Sequence, residues 1–195
     1  MTPQEIYTIN LFRSWRVPKM YWGSSVTDLP PGVLEALVSA RALESAKKGS
    51  IPRPGYGLCG NGDLPAALAA MLRVQVMKNL EQRPEMLTDT INRGARWLWI
   101  DWNTLGTDLR AHPQNSEAYA TQMEFLEWAK SVPSLIITNI GATGPVDRVE
   151  KAMASMLNVR VQKQIPTLWT STHSLEALEA RYPGCGMQAV GQVVE

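Results

Sequence analysis

The chain is poor in the residues that build metal centres and disulfide frameworks. Its 195 residues include two cysteines and two histidines. Cys59 and Cys185 lack metal-ligand spacing, and Cys59 falls in an apolar run. A reducing, cytoplasmic setting is therefore expected, although the count alone is compatible with one disulfide. His112 and His173 stand in loop or cap positions without a second ligand nearby in sequence, so no metal site is expected. Long apolar runs are also missing. Nothing approaches the roughly eighteen consecutive apolar residues of a membrane span. The opening "MTPQEIYTINLFRSWRVPKM" is interrupted by polar residues throughout and does not read as a signal peptide. Nor is there an excess of charge: 19 Lys and Arg against 18 Asp and Glu leave a formal net charge of +1. No global field draws the chain to nucleic acid or membrane, and any such binding must be local. These absences point to a soluble protein with one well-buried domain, or one domain and a short arm.

What is present is an ordinary globular composition, 45% apolar and 19% charged, with a regular alternation of strand and helix signals. Residues 1–31 are rich in aromatics (Tyr7, Phe12, Trp15, Tyr21, Trp22) and end in a Pro-Pro-Gly break. They read as an arm laid against a domain spanning 32–195. Apolar spacing predicts a helix over 33–48 and another over 64–80, the latter burying Leu64, Leu68, Met71, Leu72 and Val76. Pro65 suits its first turn. A short strand is expected at 56–59. Runs apolar on both faces, at 95–102, 134–141 and 165–172, have the character of central parallel strands. Helical segments fall near 104–111, 116–130, 145–163 and 175–182, while 183–195 shows no periodicity. Trp97 and Trp99 project to one side of their strand and read as core covered by a helix. The pattern predicts a three-layer αβα domain with a mainly parallel sheet. Ligands of such sheets sit at the carboxyl ends of the strands.

One such end carries "YGLCGNGDLPAALAAML", from Tyr56 to Leu72. A strand, a glycine-containing turn and an alanine-rich helix are the layout of a phosphate-binding loop. A working loop needs a lysine for the β and γ oxygens and a hydroxyl for magnesium. Here Pro65 and Ala66 stand in those places, and "GNGD" also reads simply as a polar turn.

The order of the pieces resembles the DnaC/IstB-like helicase-loader branch of the AAA+ ATPases over roughly residues 17–183. The segment "SLIITNIGATGPVDRVEKAMASMLNVRVQKQIPTLWTSTHSLEALEARYP" is similar to that family's Walker B strand, following helix and sensor 1 strand. Asn158 and Arg160 fall where the family has an Asn-Arg-Arg-Tyr turn. Pro166 and Thr167 fall where its Pro-Thr opens the sensor strand. "YWGSSVTDLPPGVLEALVSA" resembles its lead-in, and "ARWLWIDWNTLGTDLRA" its second strand and helix. The resemblance implies a P-loop NTPase (AAA+/RecA-like) core without a separate lid domain. It also implies ATP and magnesium as cofactors, and DNA or a replicative helicase as partners.

Read against that family, the ATPase motifs are damaged. The degenerate nucleotide-binding loop comprises Gly60, Asn61, Gly62, Asp63, Leu64, Pro65 and Ala66. Cys59 and Leu64 take the places of its glycines, and Asp63 adds negative charge where phosphates would lie. The Walker B acids correspond to Thr138 and Asn139, and the sensor 1 asparagine to Thr172. No arginine follows Arg181 in the region of the arginine finger. No catalytic residue and no cofactor are therefore expected. Serine chemistry is not expected either. Ser171 and Ser174 lack a glycine elbow, and Ser174 reads as a helix cap with Glu176 in the first turn.

Candidate DNA or partner contacts are Arg13, Arg16 and Lys19 on the arm, beside Trp15, Tyr21 and Trp22, and Arg148, Lys151, Arg160 and Lys163 along the later helix. The arm combines aromatic and basic residues, as single-strand binding surfaces do, or it is simply anchored by them. Glu150 interleaves the helix cations, so a solvated face accounts for them as well. The sequence thus points to a catalytically inactive loader-like protein that binds a replicative helicase, a related ATPase or DNA in replication or transposition. The alternatives are a divergent ATPase completed by a partner subunit and an unrelated α/β interaction domain.

Overall fold

Four five-residue strands and one of three residues form a single parallel sheet: β1 (Gly55–Cys59), β2 (Trp97–Asp101), β3 (Ser134–Thr138), β4 (Thr167–Ser171) and β5 (Gln192–Val194). Their spatial order is β2-β3-β4-β1-β5, and every pair is parallel. The computed structural model describes residues 1–28, 55–60, 62–87, 97–142, 147–182 and 192–194. The expected helix over 33–48, together with Asn61 and Cys185, lies outside them. The described helices are α1 (Pro3–Ser14), α2 (Leu64–Gln82), α3 (Trp102–Ala111), α4 (Glu117–Ala129), α5 (Asp147–Gln162) and α6 (Leu175–Arg181). None is long and apolar enough to cross a membrane.

The strands are apolar on both faces because both faces are covered. Leu98, Ile100, Leu135, Ile137 and Trp169 share one core with Leu105 and Leu109 of α3, Leu126 of α4, and Met153, Met156 and Leu157 of α5. Leu58, Trp99, Ile136 and Leu168 point the other way, into a core shared with α1 and α2. Along α2, Leu64, Leu68, Leu72, Val76 and Leu80 repeat every fourth residue and all are buried. Each such side chain contributes about 1.5–3 kcal/mol of transfer free energy. Met71, expected in that stripe, lies only partly buried at its margin.

The arm has more structure than its composition suggests. Helix α1 opens with a capping box: the Thr2 hydroxyl accepts from Glu5 N, and the Glu5 carboxylate accepts from Thr2 N. Phe12, Trp15 and Val17 are buried in the α2-side core. The chain then runs along the edge of the sheet, where the Trp15 carbonyl accepts from Trp99 N at 2.8 Å. Trp15 packs on Trp97 with ring centroids 6.1 Å apart, and Tyr21 on Trp99 at 5.9 Å. The strand tryptophans are thus covered mainly by the arm, not by a helix as expected. Two further bonds hold this segment: Trp22 Nε1 donates to Val17 O, and Arg73 of α2 donates to Trp22 O.

Two strand ends come earlier than expected, each for a local reason. Strand β2 stops at Asp101 because its carboxylate accepts from Thr104 N and starts α3. Strand β3 stops at Thr138 because Asn139 turns to φ 62°, a conformation that asparagine tolerates better than most residues.

Candidate functional site

The register aligns the carboxyl ends of the strands. Cys59 stands beside Ser171, and Asp101 beside Thr138. Gly60, Asp101, Asn139 and Thr172 therefore fall along one edge of the sheet, where a ligand of this fold would bind.

Beyond β1 the chain continues one residue further beside β4, with Gly60 N donating to Ser171 O at 3.1 Å. Gly60 then adopts φ 143° and Gly62 φ 134°, values that residues with side chains rarely take. Asp63 ends the turn. Its Oδ1 accepts from Ala66 N at 3.0 Å, so its carboxylate caps α2. The amides at a helix N-terminus are what a phosphate loop offers its ligand, and here one of them is taken by the chain's own anion. Leu64 and Pro65 are buried rather than turned to the edge. Ala66 is half-buried.

At the end of β3, Thr138 is buried and Asn139 half-buried. Both donate to Oδ2 of Asp101, Asn139 through Nδ2 and Thr138 through its hydroxyl at 3.4 Å. The nearby carboxylate thus comes from β2, and both of its oxygens are engaged, Oδ1 in capping α3 and Oδ2 with the two β3 residues. Asp101 was not anticipated from the sequence. The signal was an acid at a strand-to-helix junction in "WLWIDW". Tyr21 reaches the same edge from the arm. Burial, reinforced by the charges of Asp63 and Asp101, raises its phenol above the usual 10.0.

The sensor-like strand ends in Thr172, which is exposed. Its neighbours serve the fold: Ser171 Oγ donates to Ile140 O at 2.7 Å and accepts from His173 N at 3.0 Å. Ser174 caps α6 through Ala177 N, as expected. His173 Nε2 lies 3.1 Å from Gly141 O and 3.4 Å from Arg181 Nη1, partners that fix the ring in place. Among the described residues, no three His, Cys, Asp or Glu side chains form a metal-binding group.

A magnesium nucleotide requires cationic and amide donors for phosphate, a hydroxyl at the start of the helix, and a carboxylate available to the metal's shell. The described edge offers a capped helix, a proline and an alanine at the helix start, and two carboxylates already accepting hydrogen bonds. These residues do not fit that ligand.

The basic candidates separate into distinct roles. Arg160 is a correction: it is fully buried and presents nothing to a partner. Its Nη1 donates to the carbonyls of Ala129 and Val132, Nη2 to that of Pro166, and Nε to Thr167 Oγ1, all within 2.6–2.8 Å. It ties α5 to the end of α4 and the start of β4. Burial lowers its pKa to about 10, so it stays charged through the neutral range. Arg148 is half-committed, donating to Arg110 O and lying over Tyr119. Lys151 and Lys163 are exposed. On the arm, Arg13, Arg16 and Lys19 are all exposed. Arg13 lies over Trp22 at 5.7 Å, and Arg16 over Phe125 at 4.6 Å and Trp128 at 6.0 Å. Phe125 and Trp128 were not anticipated as neighbours of the arm, because over a hundred residues separate them from it.

No protein-family model matches the sequence, and a search of curated proteins finds no match. Solved structures do match. A DnaI structure aligns over 91% of this chain and 93% of its own, with TM-score 0.61 and 19% identity. The DnaC helicase loader aligns over 91% and 99%, with TM-score 0.58 and 16% identity. The replication initiator DnaA, bound to AMPPCP and single-stranded DNA, aligns over 92% of this chain and 50% of its own, with TM-score 0.55 and 15% identity. The fold is that of the AAA+ P-loop ATPase domains, as the resemblance implied, and it matches the helicase-loader type over most of its length.

Proposed function

We propose that this chain is a loader-like AAA+ domain that does not hydrolyse ATP. It works by binding a replicative helicase, a related ATPase or DNA, in DNA replication or the transposition of a mobile element. The fold similarity to helicase loaders supports the setting. The observation that carries the loss of hydrolysis is the Asp63 carboxylate at the start of α2, bonded to Ala66 N where a phosphate would be held. A bound triphosphate would have to displace that carboxylate against its charge, and no lysine follows to compensate. Substitutions at Thr138, Asn139 and Thr172 agree with this reading, because each lacks the group that the corresponding ATPase step uses.

Titration with a fluorescent ATP analogue, with and without magnesium, tests the proposal. Neither saturable binding nor a nucleotide-dependent rise in melting temperature is expected. Magnesium-dependent saturation, or ATP turnover on adding a loader ATPase partner, would overturn it in favour of an active, partner-completed enzyme. Capture on a purified replicative helicase tests the binding half independently.

A further inference from the structure

We propose that the arm and the outer side of α4 together form a binding surface for single-stranded DNA, wrapped around the β2 edge of the sheet. The choice of DNA rests on the replication or transposition reading above, while the surface itself rests on geometry. Arg13, Arg16 and Lys19 are exposed within one short stretch. Among the described residues, no carboxylate forms an ion pair with any of them. Arg16 adopts φ 61°, a left-handed conformation disfavoured for any residue with a side chain. From there its guanidinium lies against Phe125 and Trp128, which belong to a helix of the opposite layer.

The result is an alternation of cations and rings: Arg13 with Trp22, then Arg16 with Phe125 and Trp128. Trp128 is 41% exposed, which leaves ring surface open to a base. Cations along a backbone track, with partly open aromatic faces beside them, suit an unpaired strand because phosphates and bases are then satisfied together. A purely structural clasp explains Arg16. It does not explain why Arg13 and Lys19 stand unpaired, or why Trp128 remains open. The acids nearby assign the two sides. Glu124 and Glu127 are exposed on α4, with Glu127 bonded to Lys130. Phosphates therefore follow the arm, and bases face α4.

The test is fluorescence anisotropy of a labelled oligothymidylate of about 16 nucleotides with the full chain. Three phosphate contacts give a slope of log affinity against log salt of about −2 for a single strand. Replacing Arg13 and Lys19 together by alanine should reduce the slope to about −0.7. Trp128→Ala should weaken binding about fivefold or more through lost stacking while leaving the slope unchanged. Replacing Lys151 and Lys163 on α5 should change nothing. Lys19→Ala alone, at an exposed position, keeps the test informative if another variant unfolds. It should lower the slope by about 0.7.

Absence of binding overturns the proposal, as does a slope insensitive to the arm variants. Equal affinity for duplex DNA, or preference for oligouridylate, overturns it as well. Loss of helicase capture in the arm variants, without oligonucleotide binding by the parent, assigns the surface to a protein and also overturns it. Nucleotide titration is independent of every one of these outcomes, so failure here and failure of the pseudo-ATPase reading are distinguishable.

Discussion

Asn139 donates its side-chain amide to Oδ2 of Asp101, joining the carboxyl ends of two adjacent strands. The donor stands at the end of β3, where the loader-like ATPases carry an acid, and the acceptor comes from the next strand. Restoring an acid at this position should therefore not restore a metal site. Asn139→Asp would set two carboxylates in contact and remove the donor. A loss of about 1–3 kcal/mol is expected at neutral pH. One carboxyl of the new pair would have a raised pKa in the folded state. The folded variant would then hold a proton that the unfolded chain has lost, so its deficit should shrink as pH falls into the carboxylate range. Thermal melts of parent and variant across that range check the sign, and an unchanged deficit at low pH would refute the argument.

Asp63 serves two roles that one substitution separates. Asparagine caps helices about as well as aspartate, whereas alanine does not. Asp63→Asn should leave stability nearly unchanged, and Asp63→Ala should cost about 1 kcal/mol. Both remove a negative charge near Tyr21, whose phenol is raised by burial first and then by Asp63 and Asp101. Ultraviolet titration should show the Tyr21 pKa falling in both variants. The folded pKa exceeds the unfolded one, so the folded state retains the proton longer. Stability from this group is therefore complete below the ordinary tyrosine range and is lost as pH rises through the folded pKa.

Arg160 should be among the least replaceable residues of the chain. Arg160→Ala would leave the carbonyls of Ala129, Val132 and Pro166 without these donors in a buried setting. A loss of roughly 3–5 kcal/mol is expected from the combined desolvation of the unmatched acceptors. Arg160→Lys should recover only part of it, because an ammonium lacks the planar fork that reaches several carbonyls at once. Denaturant unfolding of both variants measures the difference.

Gly57 and Trp169 are neighbours in register on β1 and β4. A methyl group added at Gly57 would come within 2.0 Å of Trp169 Cζ2. Gly57→Ala is expected to cost about 3 kcal/mol, at the upper end of overpacking penalties. Trp169→Leu in the same chain should recover part of that loss by giving the methyl room. A double-mutant cycle on melting or denaturation isolates the coupling. Simple additivity would show that the clash is relieved some other way.

The parts legible in the sequence were those whose signal is local and whose environment is uniform. Leu135, Ile136 and Ile137 announce a doubly covered strand because both faces see apolar neighbours. The stripe from Leu64 to Leu80 likewise reads directly as a helix face. Arg160 was misread for a physical reason: a cation three residues before Lys163 looks like half of a solvated pair. Only the carbonyls brought by α4 and β4 make it a buried fork. Helix α1 did carry a legible cue in Thr2, Pro3 and Glu5, but a row of aromatics masked its periodicity. The contact of Arg16 with Phe125 had no local signal, because it arises from the layers closing around the β2 edge. β5, at three residues, is too short for periodicity to reveal.

The bond from Trp99 N to the carbonyl of Trp15 also orders events in time. The arm is translated well before β2. When "WLWI" leaves the ribosome, its cover has already been made, and one backbone donor of this apolar edge has a partner on its own chain. Deleting the arm would leave a nascent strand of tryptophan, leucine and isoleucine exposed to other chains. The first consequence should then be a drop in soluble yield during synthesis, out of proportion to any change in the folded protein's melting point.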